Sequence, residues 1–183
     1  TEYADYKLGQ IPFVADQRTV LTIGVDIHKA WLTYVVEAHR VDKEGHLLDS
    51  WLIDLPRTFT ELGQIGYVYP DANSPQNIYG ALNEAVRPIA INGWADAAGN
   101  IVRPKKICID AGYQDNVKRV EAHEKQVYAF CRMYGEGTWV AVKGGKAIDG
   151  YLPFSNNLKG AAGNKVWYTM LDVDILKTEA REQ

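Results

Sequence analysis

The stretch VLTIGVDIHKAWLTYVVEA, residues 20–38, decides the fold. It holds two short runs of β-branched and large apolar residues, VLTIGVDI at 20–27 and WLTYVVEAH at 31–39, which read as consecutive strands. Working outward, LLDSWLIDL at 47–55 has the same character, and DKEG at 42–45 supplies the turn before it. The three runs predict an antiparallel meander. The first of them carries one carboxylate, Asp26, inside an otherwise apolar strand. An isolated buried charge is costly, so Asp26 is expected to be paired, solvated at a strand end, or bound to a cation.

Toward the N-terminus, residues 1–19 read as an irregular lead-in. Toward the C-terminus, 56–75 is a Pro-, Gly- and Tyr-containing loop without a clear period. From 76 to 89 the pattern turns helical, with Ile78, Leu82, Ala85 and Ile89 near one face and Pro88 limiting the end. NGWADAAGN at 92–100 reads as a turn-rich linker and KKICID at 105–110 as a short strand ending in Asp110. A second helix is predicted over 115–134, a strand over 138–145, a loop over 146–165 and a strand over 165–171. DVDILKTEAREQ then reads as a helix. This order, β-β-β-α-β-α-β-loop-β-α, predicts an α/β protein with a mixed sheet and helices on its faces.

Composition narrows the function classes. The 183 residues are 46% hydrophobic and 23% charged, typical of one globular domain. No apolar run approaches the roughly 20 residues that span a bilayer. The net charge of −3 gives no global field for nucleic acid. Basic residues cluster only locally, at Arg103, Lys105 and Lys106, at Lys118 and Arg119, at Lys143 and Lys146, and at Lys159 and Lys165, and these read first as solvated edges. Cys108 and Cys131 sit in apolar contexts and read as reduced core thiols. VKGGKAID at 142–149 contains Gly-Gly-Lys, but Ala147 stands where a phosphate loop requires Ser or Thr, so ATP binding is not expected.

The chemistry-bearing residues are acids at element ends: Asp26, Asp110, and the pair Asp172 and Asp174 opening the last predicted helix. Ligand sites in open sheets form at the carboxyl ends of strands. Convergent carboxylates repel one another unless a cation binds, and oxygen-only ligation suits Mg²⁺ or Mn²⁺. Each acid also has a plain structural reading, as a turn residue or, for Asp172, as an N-cap.

Taken together, the motifs resemble a family. YKLGQIPFVADQRTVLTIGVDIHK at 6–29 is similar to the segment opening the nuclease domain of lambda-type (GpA-like) large terminase subunits of tailed phages. SWLID at 50–54, ICIDAGY at 107–113, QVYAFCR at 126–132, VAVKGG at 140–145 and LDVDILK at 171–177 resemble its later motifs, in the right order. The resemblance implies a ribonuclease H-like mixed sheet, three antiparallel strands followed by parallel ones, flanked by helices. It implies that residues 1–19 are a linker from an ATPase domain and that 20–183 form the nuclease domain. It makes Asp26, Asp110 and Asp174 the catalytic and metal-binding acids, with two Mg²⁺ or Mn²⁺ ions. The family pattern has Gln where this chain has His28, so the role of His28 toward metal or DNA stays open; Lys143 and Lys146 are candidate phosphate contacts.

The function implied is a metal-dependent endonuclease that cuts concatemeric double-stranded DNA during phage genome packaging in the host cytoplasm. Its partners would be DNA, the ATPase domain, the small terminase subunit and the portal, with no membrane. The competing expectation is a non-catalytic ribonuclease H-like module that docks nucleic acid or protein.

Overall fold

The computed structural model of the chain describes residues 8–27, 32–55, 77–112, 117–145, 154–159 and 166–172. The chain forms two compact units, Thr1–Ile107 and Cys108–Gln183.

In the first unit the predicted meander is present. β1 (Thr19–Ile27), β2 (Leu32–Val41) and β3 (Leu47–Asp54) pair antiparallel, with Thr19 opposite Arg40 and Ile27 opposite Leu32. β1 alternates strictly: Leu21, Ile23, Val25 and Ile27 are buried, while Val20, Thr22, Gly24 and Asp26 take the other face. Removing each large apolar side chain from water contributes about 2 kcal/mol, so four of them fix the parity of the strand. A slip by one residue would send Asp26 into the core.

The described part of the lead-in, from residue 8 on, is irregular but not loose. The Gly9 amide donates to the Ile53 carbonyl at 2.7 Å, the Ile11 amide donates to the Ala95 carbonyl at 2.9 Å, and Ile11 is fully buried. Phe13 lies against Trp51, ring centroids 4.6 Å apart, and the Arg40 guanidinium sits over the same Phe13 ring.

The helical pattern after residue 76 is borne out in position but not in form. It comprises α1 (Asn77–Ala81), a π-helical turn (Leu82–Val86) and α2 (Arg87–Asn92). Pro88 does not end the helix, as the sequence suggests it should. In a regular α-helix its ring would meet the carbonyl four residues back. The widened turn stands directly before it, and the Arg87 amide donates to the Leu82 carbonyl, five residues back. The wider turn also changes the buried stripe, which is Leu82, Val86 and Ala90 with Ala81, rather than Ile78, Leu82, Ala85 and Ile89. Four-residue spacing stays in phase through a turn of more than four residues.

The predicted linker at 92–100 is instead half of a small hairpin, β4 (Trp94–Ala95) paired antiparallel with β5 (Ile101–Val102). Its loop is organised by Asp96, whose carboxylate is buried. It accepts hydrogen bonds from the amides of Ala15, Ala98 and Asn100 and from the Asn100 side chain, at 2.8–3.2 Å. These donors, the Ala15 amide first, hold its pKa below the usual carboxylate value against the opposing effect of burial.

β6 (Lys106–Asp110) begins in the first unit and ends in the second. The strand order is β3-β2-β1-β6 in the first unit and β6-β7-β9-β8 in the second. In the second unit α3 (Val117–Tyr134) leads to β7 (Trp139–Gly145), which pairs parallel with β9 (Val166–Asp172). Phe130 is fully buried, its ring 4.7 Å from Tyr134 and 5.1 Å, edge-on, from Trp139, and this cluster ties the end of α3 to the start of β7. Neither Cys108 nor Cys131 is in a disulfide, and burial pushes the Cys131 thiol up to about 12.

One correction concerns 146–165. β8 (Phe154–Lys159) lies inside this predicted loop and pairs antiparallel with β9, Phe154 opposite Leu171 and Lys159 opposite Val166. The predicted final helix and the 56–75 loop lie outside the described residues. The whole is a mixed α/β sheet protein with antiparallel and parallel strands plus helices, consistent with a ribonuclease H-like nuclease fold.

Gly93 closes α2 at φ 69° and ψ −168°, and a Cβ there would stand 2.4 Å from the Val102 carbonyl oxygen. Backbone strain alone costs roughly 1–3 kcal/mol in that region, and the clash with β5 adds to it. Gly93→Ala should therefore lower stability by about 3 kcal/mol or more, read as a shift of the urea midpoint at unchanged slope.

Candidate active site

Asp26 lies one residue from the end of β1, opposite Thr33 on β2, and is exposed. The strand's alternation turns it away from the core. Its face continues into a polar row. Thr22 Oγ1 lies 2.9 Å from His39 Nε2, Ser50 Oγ lies 3.1 Å from His39 Nδ1, and the Glu37 carboxylate stands 3.8 Å from Nε2. Two hydroxyls, each able to donate or accept, match either tautomer of a neutral imidazole. Burial lowers the pKa of His39, and the Glu37 charge works in the opposite direction.

Asp110 ends β6 and is half-buried. Its Oδ1 accepts a hydrogen bond from the Gly112 amide at 2.8 Å, a local turn that fixes the carboxylate against its own backbone. The intervening Ala111 is fully buried and donates its amide to the Val142 carbonyl at 2.8 Å, which holds the end of β6 against β7. The next residue on β7 is Lys143, half-buried, whose Cγ lies 4.0 Å from the position a Cβ on Gly112 would take. In the parallel pair β7 and β9, Gly145 is opposite Asp172, so Asp172 closes β9 where β7 ends. The second unit thus brings Asp110 and Lys143 together, with the C-terminal ends of β7 and β9 in step. This is the kind of strand edge where ligands are bound.

His28, Lys146 and Asp174 lie outside the described residues. Of the other basic residues, Arg103 donates from Nε to the Ile91 carbonyl at 2.7 Å and so caps the C-terminus of α2. The Lys105 amide donates to the Leu21 carbonyl, which places Lys105 five residues, about 17 Å of strand, from Asp26.

Sequence reasoning did not single out Asp42, Glu44 and His46, in the turn between β2 and β3. Their ligand atoms lie within 4.8 Å of one another, so this acidic group could hold a metal ion. Its geometry also has a local cause. Asp42 accepts hydrogen bonds from the His46 amide at 2.7 Å and from His46 Nδ1 at 2.9 Å, and the amide holds the carboxyl below its usual pKa. The signal in the sequence was the Asp-x-x-Gly spacing of a tight turn, which reads the same with or without a cation.

Comparison with protein families gives a match to the family described as terminase large subunit gpA, endonuclease domain, over residues 2–183. The chain belongs to that family. Comparison with curated proteins and with solved structures gave no match. Among the described residues no helix is long and apolar enough to cross a membrane.

His39 should titrate below 6.5, and Glu37→Gln should move its midpoint further down, because the charge that favours the imidazolium is then gone. Because the folded pKa is the lower one, this contribution to stability is complete above 6.5 and falls as the pH drops below it. Imidazole proton chemical shifts followed against pH check both statements; an unshifted or raised midpoint would contradict them.

Proposed function

We propose, with membership of the terminase endonuclease family as the premise, that this chain is a Mg²⁺- or Mn²⁺-dependent nuclease that cuts concatemeric double-stranded DNA during genome packaging. The observation that carries the reading is Asp110. The motif ICIDAGY ends a strand in this aspartate, one of its oxygens is held by the Gly112 amide, and Lys143 lies beside it.

The metal ligands assigned are Asp26, Asp110 and Asp174, all hard oxygen donors suited to Mg²⁺ or Mn²⁺. When bound, a pair of such ions lowers the pKa of an attacking water and stabilises the leaving 3′ oxygen. The protein's own part is positional. The Gly112 amide fixes the Asp110 carboxylate, and Lys143 offers a cation to the charge that builds on the phosphate. Lys146 and His28 are further candidates for contact with the DNA backbone. The phage partners of such a domain would be the ATPase domain, the small subunit and the portal, working in the host cytoplasm.

With a net charge of −3 the domain lacks a strong attractive field, so its cleavage should be weak, salt-sensitive and largely indifferent to sequence and to ATP. Supercoiled plasmid incubated with the domain and Mn²⁺ should yield nicked and linear products. Chelation with EDTA and the substitutions Asp110→Ala and Asp26→Asn should each remove them. Cleavage that survives EDTA, or that Asp110→Ala leaves intact, would refute the reading. Plasmid bound but never cut would favour the docking module instead. A second comparison separates the basic residues: Lys143→Ala should reduce the rate more than Lys105→Ala, and equal losses would show that the chemistry does not sit at Asp110.

A further inference from the structure

Gly112 lies between two side chains of the candidate site, and the spacing around it is specific. Its amide donates to Asp110 Oδ1 at 2.8 Å. A Cβ on Gly112 would stand 3.3 Å from that same oxygen and 4.0 Å from Lys143 Cγ. The first distance is tighter than ordinary contact, so something must yield by a few tenths of an ångström. The backbone is poorly placed to yield, because the neighbouring Ala111 is fully buried and its amide is bonded to the Val142 carbonyl at 2.8 Å. The Asp110 carboxylate can yield, by turning about its own χ angles, and turning lengthens the bond from the Gly112 amide. Gly112 does not have a left-handed φ, so backbone conformation does not demand glycine here. The demand comes from the carboxylate.

We infer that Gly112 is a positioning residue: it fixes the rotamer of Asp110 with its amide, and its missing side chain leaves the carboxylate and the Lys143 stem their places. The inference rests on the proposed reading of Asp110 as a metal ligand, and it adds a role for the residue whose amide holds that carboxylate. Groups that orient a metal ligand without binding the metal typically change affinity by roughly 10- to 100-fold when altered. Gly112→Ala should weaken Mn²⁺ binding by that factor.

The test uses the whole chain and Mn²⁺ alone as the probe, with thermal unfolding followed across a Mn²⁺ titration. Wild type should be stabilised by Mn²⁺, and Asp110→Ala should abolish the response. Gly112→Ala should need roughly 10- to 100-fold more Mn²⁺ for the same shift, with its metal-free Tm unchanged. Gly137→Ala is the control in the same unit, since a Cβ there meets nothing within 4 Å, and it should respond as wild type does. A Gly112→Ala response equal to wild type overturns the inference while leaving the metal site standing. No Mn²⁺ response in wild type overturns the metal site and the inference with it.

Should Gly112→Ala also lower the metal-free Tm, hydrogen exchange at the Gly112 amide decides. It should be slow in wild type and in Asp110→Asn, which keeps an acceptor oxygen, and fast in Asp110→Ala. Equally slow exchange in Asp110→Ala would mean that the amide does not hold the carboxylate, and the inference falls.

Discussion

The first unit is organised around one buried carboxylate. Asp96 has no exposed surface, and an ionised group in that position is tolerable only if its oxygens are well supplied with donors. Four hydrogen bonds supply them, from the amides of Ala15, Ala98 and Asn100 and from the Asn100 side chain. Its own backbone is also engaged, accepting from Gln10 Nε2 and the Gly99 amide and donating to the Asn100 carbonyl. One side chain therefore joins the lead-in, at Ala15, to the hairpin of β4 and β5. Through the carbonyls of Ala95 and Ile53, the same lead-in is bonded to the hairpin and to β3. The strand that presents Asp26 begins four residues after Ala15, past a turn in which the Thr19 amide donates to the Asp16 carbonyl.

Asp26 and Asp110 take up their positions by different means. Asp26 owes its position to parity: every second residue of β1 goes to the core, and it is one of the others. Asp110 belongs to a strand with the same alternation but sits at its end, where the turn to Gly112 takes over and a hydrogen bond replaces packing as the orienting force. Parity fixes only the face on which a carboxylate appears. A bond to a specific oxygen fixes the direction of the group, and direction is what ligation of a cation requires. The Asp42 and His46 turn shows the same bond type used inside an exposed loop, where it closes the turn between β2 and β3.

Most of the strands could be read from the sequence because branched and aromatic residues concentrate in β1, β2, β6, β7 and β9, and burial of those residues is what selects the strand. β8 could not. FSNNLK has no apolar alternation, and its pairing depends on β9, a partner that no local pattern reveals. Asp96 was hidden for a similar reason: in NGWADAAGN it reads as a turn residue, and its decisive donor, Ala15, is 81 positions away. Asp110 was legible as a strand-end acid, and the Gly two residues on was visible beside it. What the sequence could not give was the distance that makes that glycine matter. Arg103 was read as part of a basic cluster, whereas its Nε serves the end of α2.

The π turn at Leu82–Val86 has a consequence for how this helix tolerates changes in length. A widened turn is equivalent to one extra residue accommodated without breaking the helix. Deleting a residue between 83 and 86 would remove that extra residue, restore α-helical winding with the flanking turns in phase, and bring the carbonyl ahead of Pro88 back into conflict with its ring. Replacing Pro88 would lift the conflict, so the proline and the extra residue form a matched pair. A shorter helix here would need both changes.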